Sequence, residues 1–345
     1  MSRRRGVAVF GVAIAVALAG CGGARSTASR PRMATASTVA PGSTMTSSPA
    51  RAARPRRPGP PFAVGERMLT FVDRSRTVQY PGEAAAPRRL VTIVRYPAAG
   101  PARGGDIVGA RPLHAGGPYP LVIFGHGFAV TPSIYAPLLR AWARAGYVVA
   151  APIFPLGSAN APGGPNESDL VNQPADMSFV ITQMLVASAA AVGPFSGLID
   201  ARHIAVSGQS DGGDTALTAA YNPRFRDRRI GAAVILSGQE IPGVGGYDYP
   251  VPSPPLLATQ GLADTINLPT TTYAYFDQAP PPKYLLTMPG APHLPPYTGE
   301  LPQLSIVERV TVAFLDRYLK GTRESIAQMA SVADRPGIAA LRAVP

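Results

Sequence analysis

From residue 62 onward, short apolar runs alternate with longer stretches in which apolar residues recur every three or four positions. The short runs predict β-strands and the longer stretches predict amphipathic helices. The predicted strands are Met68–Val72, Leu90–Tyr96, Leu121–Phe124, Tyr147–Ile153, His203–Ser207, Ala232–Leu236, Leu256–Gln260 and Tyr284–Met288. The predicted helices are Ile134–Ala145, Asp176–Ala190, Gly212–Tyr221 and Leu304–Leu319. Strands separated by helices of this length predict an α/β fold, with a mostly parallel central sheet flanked by helices.

The first 61 residues have a different pattern. A basic start, the apolar run Val7–Ala19 and the small residues before Cys21 predict a secretory signal peptide over residues 1–21. The run Leu18-Ala-Gly-Cys resembles a bacterial lipobox, in which Cys21, the only cysteine of the chain, would carry the lipid. Residues 22–61 are rich in Ser, Pro and Arg and predict a disordered tether. The protein is therefore expected to be exported, and either anchored to the membrane or envelope or secreted.

The net charge of +12 is concentrated in this N-terminal part. Residues 1–60 hold ten of the 32 basic residues and none of the 20 acidic ones, which leaves residues 61–345 with a charge of only +2. A surface that binds nucleic acid needs an excess of positive charge, which a nearly neutral domain lacks. The sequence therefore predicts no nucleic-acid partner for the single domain expected over residues 62–345.

The strongest local signal for chemistry is the pentapeptide Gly208-Gln-Ser-Asp-Gly, which stands between a predicted strand and a predicted helix. In this setting a serine occupies a strained turn that exposes its hydroxyl above the sheet. Glycines at 208 and 212 avoid a Cβ that would collide with neighbouring backbone. Ser210 is thus predicted to be a nucleophile, although a passive serine in a glycine-rich turn is the alternative.

Such a serine needs a base, and the chain has four histidines. His203 begins the strand that leads to Ser210 and is expected at the opposite end of the sheet, while His114 and His126 precede the nucleophile in the chain. His293 alone follows it, in a loop after the last predicted strand, as the order Ser…Asp/Glu…His requires. Asp264, which follows the strand before that one, is the preferred orienting acid; Asp248 and Asp277 are its rivals.

A tetrahedral intermediate needs two preorganised donors for its oxyanion. The backbone N–H of Asp211, directly after Ser210, is the first candidate. The second is the backbone N–H of Phe128 in Gly125-His-Gly-Phe, where Gly125 and Gly127 let the backbone approach a bound ester closely. A plain glycine turn is the alternative interpretation of this loop.

With these residues in place, the chain resembles the α/β-hydrolase superfamily. Within it, the chain is similar to dienelactone-hydrolase-like proteins, chlorophyllases, platelet-activating-factor acetylhydrolases and bacterial cutinase-like polyesterases. The matching stretches include Phe124-Gly-His-Gly-Phe, Ile204-Ala-Val-Ser-Gly-Gln-Ser-Asp-Gly-Gly, Gly261-Leu-Ala-Asp and Gly290-Ala-Pro-His. The resemblance implies the triad Ser210, Asp264 and His293, with oxyanion donors at Phe128 and Asp211. Gln209 departs from it, since many relatives carry His or Trp there, and Asp211 stands where relatives often have an apolar residue.

These features predict a monomeric serine hydrolase that cleaves small-molecule or lipid-like carboxylic esters through an acyl-enzyme on Ser210. Only about twenty residues connect the predicted strands Ala232–Leu236 and Leu256–Gln260, which is too few for a large lid. The cleft is therefore expected to be open and lined by Tyr247, Tyr249 and Tyr297. No cofactor and no metal site are predicted. A serine peptidase or acyltransferase with the same triad, and a catalytically silent surface-binding lipoprotein, are the alternatives.

Overall fold

The computed structural model describes residues 59–102 and 104–345. Its strands are β1 Ala63–Val78, β2 Ala86–Ala98, β3 Asp106–Val108, β4 Tyr119–Gly125, β5 Val148–Ile153, β6 Ile199–Gln209, β7 Ile230–Leu236, β8 Leu256–Gly261, β9 Lys283–Met288 and β10 Ala340–Val344. Its helices are α1 Ala136–Arg144, α2 Gln173–Ala189, α3 Asp211–Tyr221, α4 Pro269–Gln278, α5 Pro295–Thr298, α6 Gln303–Leu319 and α7 Ser325–Ala333.

The described strands form one sheet in the order β10-β9-β8-β7-β6-β4-β5-β2-β1-β3. The strands from β5 through β4, β6, β7 and β8 to β9 are parallel to one another, whereas β2 and β10 pair antiparallel at the two ends of this parallel block. The predicted α/β class with a mostly parallel central sheet is therefore confirmed. In such a sheet the carboxyl ends of the parallel strands meet at one edge, where binding sites form.

Helices cover both faces of the sheet and bury two apolar layers. On one face α2, α3 and α4 pack against the sheet, as Met177, Leu217 and Phe276 show. On the other face α1, α6 and α7 do so, and Trp142 is fully buried there, with its indole N–H donating to the Thr311 hydroxyl at 2.8 Å. The two layers hold the parallel strands rigidly, so the loops at their carboxyl ends start from fixed positions.

The predicted elements are all present, but several are longer than the apolar pattern indicated. The first strand runs for 16 residues, and only its ends, Ala63 to Gly65 and Val78, are buried apart from Asp73. Its exposed middle alternates weakly, so the sequence pattern marked only five of its residues. Two terminal elements were not predicted: α7 and the edge strand β10, whose exposed residues carry little apolar signal.

The connection of residues 237–255 between β7 and β8 contains neither helix nor strand, so no helical lid is built there. Among the described residues, no helix combines the length and the hydropathy that a membrane span requires. The predicted signal peptide of residues 1–21, its lipid attachment site Cys21 and the tether as far as residue 58 lie outside the described residues.

Candidate active site

Ser210 occupies a strained turn between β6 and α3. Its backbone has φ 56° and ψ −128°, a conformation that residues with a Cβ rarely adopt. Two backbone hydrogen bonds hold the turn: Ser210 N–H donates to the Leu236 carbonyl at 3.0 Å, and Asp214 N–H donates to the Ser210 carbonyl at 2.9 Å. Strain of this kind persists where surrounding structure imposes it and is common at functional sites.

Glycines surround this turn because three backbone segments meet there. A Cβ on Gly208 would collide with the Gly212 carbonyl group, and one on Gly212 would collide with the Gly125 carbonyl group. A Cβ on Gly125 would lie 2.6 Å from the Met177 methyl carbon and 2.9 Å from the Gly212 Cα. These three glycines therefore allow β4, β6 and α3 to approach one another next to Ser210.

Replacing Gly212 with Ala should destabilise the protein by about 3 kcal/mol or more, because the added methyl group meets rigid backbone rather than a movable side chain. The matched control is Gly231→Ala on β7, where the nearest atom to an added Cβ is 3.6 Å away. Urea unfolding of the two variants and the parent checks this difference. Equal stabilities of the two variants would show that the close approach at Gly212 is unimportant.

Asp264 and His293 form a hydrogen-bonded pair at the same sheet edge. Asp264 follows β8 and His293 follows β9, and the distance from His293 Nδ1 to Asp264 Oδ2 is 2.7 Å. The Asp264 carboxylate also accepts the backbone N–H groups of Ile266 and Asn267 at 2.9 and 3.0 Å. Burial acts to raise the pKa of Asp264, but the hydrogen bonds from His293 and Ile266 outweigh burial and hold the pKa below its ordinary value.

Further contacts fix the two loops that carry this pair. The Gln260 amide donates to Asp264 Oδ2 at 3.3 Å and to the Asn267 carbonyl at 3.0 Å. A Cβ on Gly261 would collide with the Ala291 carbonyl oxygen, so this glycine lets the end of β8 lie directly against the loop that leads to His293. Asp264 and His293 are thus positioned by backbone contacts as well as by their mutual hydrogen bond.

Gln209 connects His293 to the loop after β4 through hydrogen bonds. Its amide nitrogen lies 3.0 Å from the His293 carbonyl oxygen and 3.2 Å from His293 Nε2. Its amide oxygen accepts the Tyr135 hydroxyl at 2.7 Å, and that hydroxyl accepts the Gly127 N–H at 3.3 Å. Since an N–H faces Nε2, this nitrogen is the acceptor of the ring, and Nδ1 carries the proton that is donated to Asp264. This is the tautomer that a general base requires.

The sequence did not predict this link. Gln209 was identified only as a departure from relatives, and Tyr135 was not singled out. The two residues are 74 positions apart, so no local pattern joins them. The contact between the buried Tyr135 hydroxyl and Gln209 becomes evident only when the positions of β4 and β6 in the sheet are known.

The loop after β4 brings Gly127 against Ser210. A Cβ on Gly127 would lie 3.2 Å from the Ser210 Cβ and 3.1 Å from Gln209 Oε1. Phe128, the next residue, is 36% exposed. Ala129 is held in a left-handed conformation with φ 55°, and its N–H donates to the Gly157 carbonyl at 2.9 Å. The Phe128 backbone therefore lies in a fixed turn, directly after the residue that approaches Ser210.

The other histidines serve elsewhere. His126 is buried, and its Nε2 accepts the backbone N–H of Phe154 at 3.0 Å. Burial lowers the pKa of His126 to about 4, so the ring stays neutral and supports the loop. His203 lies near the start of β6, 2.9 Å from an oxygen of Asp200. His114 lies in the 3-10 segment His114–Gly116, before β4 begins.

The tyrosines expected along the cleft are placed differently. Tyr297 is fully buried and hydrogen-bonded to the Ser237 and Thr259 hydroxyls, so the expectation that it lines the cleft is wrong. The Tyr247 hydroxyl is 2.6 Å from the Thr218 hydroxyl, and Tyr249 packs on Tyr221 with ring centroids 5.0 Å apart. Both rings thus pack against residues of α3.

Asp211 places a carboxyl group directly beside Ser210. The residue is only 7% exposed, and its Oδ2 has no hydrogen-bond partner among the described residues. Burial, together with the nearby negative charge of Glu167, raises the pKa of Asp211 to about 6. The ionised carboxylate is therefore disfavoured in the folded protein relative to the unfolded chain.

Replacing Asp211 with Asn should stabilise the protein more at pH 8 than at pH 4.5, by about 2 kcal/mol. The folded-state pKa lies above the unfolded value of about 3.9, so the unfolded chain releases its proton first and the stability of the parent falls as pH rises from about 4 through 6. Asparagine removes this titration. The control is Asp277→Asn, which makes the same change at an exposed carboxylate. A difference for Asp211→Asn that does not change with pH would contradict the assignment.

In residues 59–102 and 104–345, no three His, Cys, Asp or Glu side chains lie together in an arrangement that could hold a metal ion. The groups described at this edge are a serine hydroxyl, an imidazole hydrogen-bonded to a carboxylate, and backbone N–H groups at the start of α3.

The sheet order, the strained Ser210 turn between strand and helix, and an Asp–His pair after later strands have the arrangement of the α/β-hydrolase fold. Comparison with known proteins agrees with this class. The family model described as Chlorophyllase matches residues 96–237, less than half of the chain. This segment contains Gly125, Gly127 and Ser210 and ends before Asp264 and His293.

A solved structure, the ferulic acid esterase from Streptomyces cinnamoneus, is also similar to this chain. The match has a TM-score of 0.60 at 21% sequence identity and covers 84% of this chain and 98% of the esterase. Comparison with the curated proteins found no match. The predicted resemblance to α/β-hydrolases, and among them to chlorophyllases, is thus confirmed.

Proposed function

We propose that this protein is a serine esterase that hydrolyses carboxylic esters through an acyl-enzyme on Ser210. The observation that carries the proposal is the 2.7 Å hydrogen bond between His293 and Asp264 at the sheet edge where the strained Ser210 turn lies. Ester hydrolysis as the class of reaction is supported by the Chlorophyllase family match and by the likeness to a ferulic acid esterase.

In the first half of the reaction, His293 Nε2 takes the proton of the Ser210 hydroxyl while the serine oxygen attacks the ester carbonyl carbon. The carbonyl oxygen becomes an oxyanion that accepts hydrogen bonds from the backbone N–H groups of Asp211 and Phe128. When the intermediate collapses, the bond to the alcohol breaks and His293 returns its proton to the leaving alcohol. The acyl group then remains on Ser210.

In the second half, a water molecule gives a proton to His293 Nε2 and attacks the acyl carbon. Collapse of this second intermediate releases the carboxylic acid and returns the proton to the Ser210 oxygen. Asp264 stays ionised throughout and stabilises the imidazolium that forms twice. Its lowered pKa suits this role, because the carboxylate keeps its charge over the range in which the base acts.

The proposal is tested with matched substrates. We expect rapid release of 4-nitrophenol from 4-nitrophenyl butyrate and a rate on the corresponding 4-nitroanilide that is lower by orders of magnitude. The same acyl group in both probes separates an esterase from a peptidase with the same triad. Faster cleavage of the anilide would favour the peptidase, and inertness to esters of short, medium and aromatic acyl groups would overturn the esterase proposal.

A further inference from the structure

One oxygen of the Asp211 carboxyl group, at the proposed reaction centre, is an acceptor without a partner among the described residues. Asp211 stands at the first position of α3, directly after Ser210, and this oxygen, Oδ2, is buried. A buried acceptor that lacks a donor costs about 1–3 kcal/mol. The ester mechanism uses only the backbone N–H of this residue, so the side chain calls for a separate explanation.

The groups that face this carboxyl do not neutralise it. They are Glu167 from the 3-10 segment after β5, His293 from the loop after β9, Tyr135 from the 3-10 segment before α1, and Asp214 on the same helix. Two are carboxyl groups and one is a phenol. Only His293 can carry a positive charge, when it holds the proton of the reaction.

No permanent positive charge lies in the surrounding loops. The segments that follow the parallel strands are 126–135, 154–172, 237–247, 262–268 and 289–302, and none contains a lysine or arginine. They contain Glu167, Asp169, Glu240, Asp264 and Glu300. Arg88 reaches this edge from β2, but Asp169 and Asp176 bind it. Since β2 is three strands from β6, it also lies about 14 Å from the reaction centre.

The same loops expose large apolar side chains. Those of Leu262, Ile266 and Leu268 flank Asp264, with exposures of 40%, 68% and 51%. Phe128 and Leu301 are exposed on the loops after β4 and β9. A substrate that reaches Ser210 therefore passes these exposed apolar side chains before it meets the carboxyl groups of Asp211 and Glu167.

We propose that Asp211 is a specificity-determining residue, which with loops that lack lysine and arginine selects apolar esters that are uncharged or cationic and rejects anionic ones. An N–H, O–H or ammonium group of the substrate would supply the partner that Oδ2 lacks. An anionic group would meet the carboxyl groups of Asp211 and Glu167 without any cation to offset them. This inference rests on the proposed esterase function and narrows its substrate class.

The test uses esters that differ in charge but not in shape. One series carries the charge on the acyl side: ethyl esters of 4-(trimethylammonio)butyrate, 5,5-dimethylhexanoate and 4-sulfobutyrate. The other carries it on the alcohol side: butyrate esters of choline, 3,3-dimethylbutanol and 2-hydroxyethanesulfonate. In at least one series we expect kcat/KM for the neutral ester to exceed that for the sulfonate about tenfold, with the cation at least equal to the neutral ester.

Asp211→Asn should reduce this neutral-to-sulfonate ratio severalfold, whereas Asp277→Asn, the same charge change at an exposed site, should leave it unchanged. In the parent the ratio should be larger at pH 8 than at pH 5, because Asp211 ionises as pH rises through about 6. A ratio near one in both series, or one that Asp211→Asn does not reduce, would overturn the specificity role while leaving the esterase function in place. Inertness to all six esters and to 4-nitrophenyl butyrate would overturn both.

Discussion

Ser210→Ala should lower kcat for 4-nitrophenyl butyrate by roughly 10⁴- to 10⁶-fold, because it removes the only atom that forms the acyl-enzyme. Alanine keeps the Cβ of the strained turn, so the variant should unfold at a urea concentration close to that of the parent. Any residual rate would come from the oxyanion donors and from substrate binding, which act without the nucleophile.

Ser207→Ala is the matched control for this substitution. Ser207 lies on β6, three residues before Ser210, and is fully buried, and its hydroxyl has no hydrogen-bond partner among the described residues. Its removal should change kcat by less than about threefold, since the site is not touched. If Ser210→Ala kept more than a tenth of the parent rate, another group would have to be the nucleophile.

Asp264→Asn should lower kcat by about 10⁴-fold without unfolding the protein. The asparagine oxygen can still accept the N–H groups of Ile266 and Asn267, so the loop keeps its conformation. The amide nitrogen, however, would face His293 Nδ1 and favour the tautomer whose proton sits on Nε2. In that tautomer the imidazole cannot take the proton of Ser210.

Two other aspartates provide controls for Asp264→Asn. Asp248 and Asp277 were the rivals for the orienting acid, and the structure places Asp277 in an exposed ion pair with Arg342, at 3.2 Å. Asp248→Asn and Asp277→Asn should each keep more than half of the parent kcat. A large loss in either, together with a loss below tenfold for Asp264→Asn, would transfer the orienting role to the rival.

The sequence allowed the fold class to be predicted because strand periodicity, chain order and the glycine spacing around Ser210 are local features. It also indicated which loops carry Asp264 and His293, since the carboxyl ends of parallel strands share one edge. The geometry within that edge could not be predicted in the same way. Tyr135 and Gln209 meet only because β4 and β6 are neighbours, a pairing of strands with β5 between them in the chain.

Burial was the second property that sequence patterns missed. Tyr297 follows His293 by four positions and was expected in the cleft. It is instead buried, and its hydroxyl forms hydrogen bonds with the hydroxyls of Ser237 and Thr259. The sequence identified the Asp211 side chain only as a departure from relatives, and the structure is needed to show that this side chain is buried and that its Oδ2 has no partner among the described residues. A charged residue in a sequence is usually solvated, so burial of this kind becomes evident only from the packed structure.

The most direct test of the account is covalent labelling of the nucleophile. A fluorophosphonate should add once per chain, with loss of fluoride, and peptide mass spectrometry should place the phosphonyl group on Ser210. His293→Ala should slow this labelling by orders of magnitude, because the serine would have no base. Labelling of Ser207, Ser237 or another residue while Ser210 stays unmodified would contradict the account, as would an unlabelled protein that still hydrolyses esters.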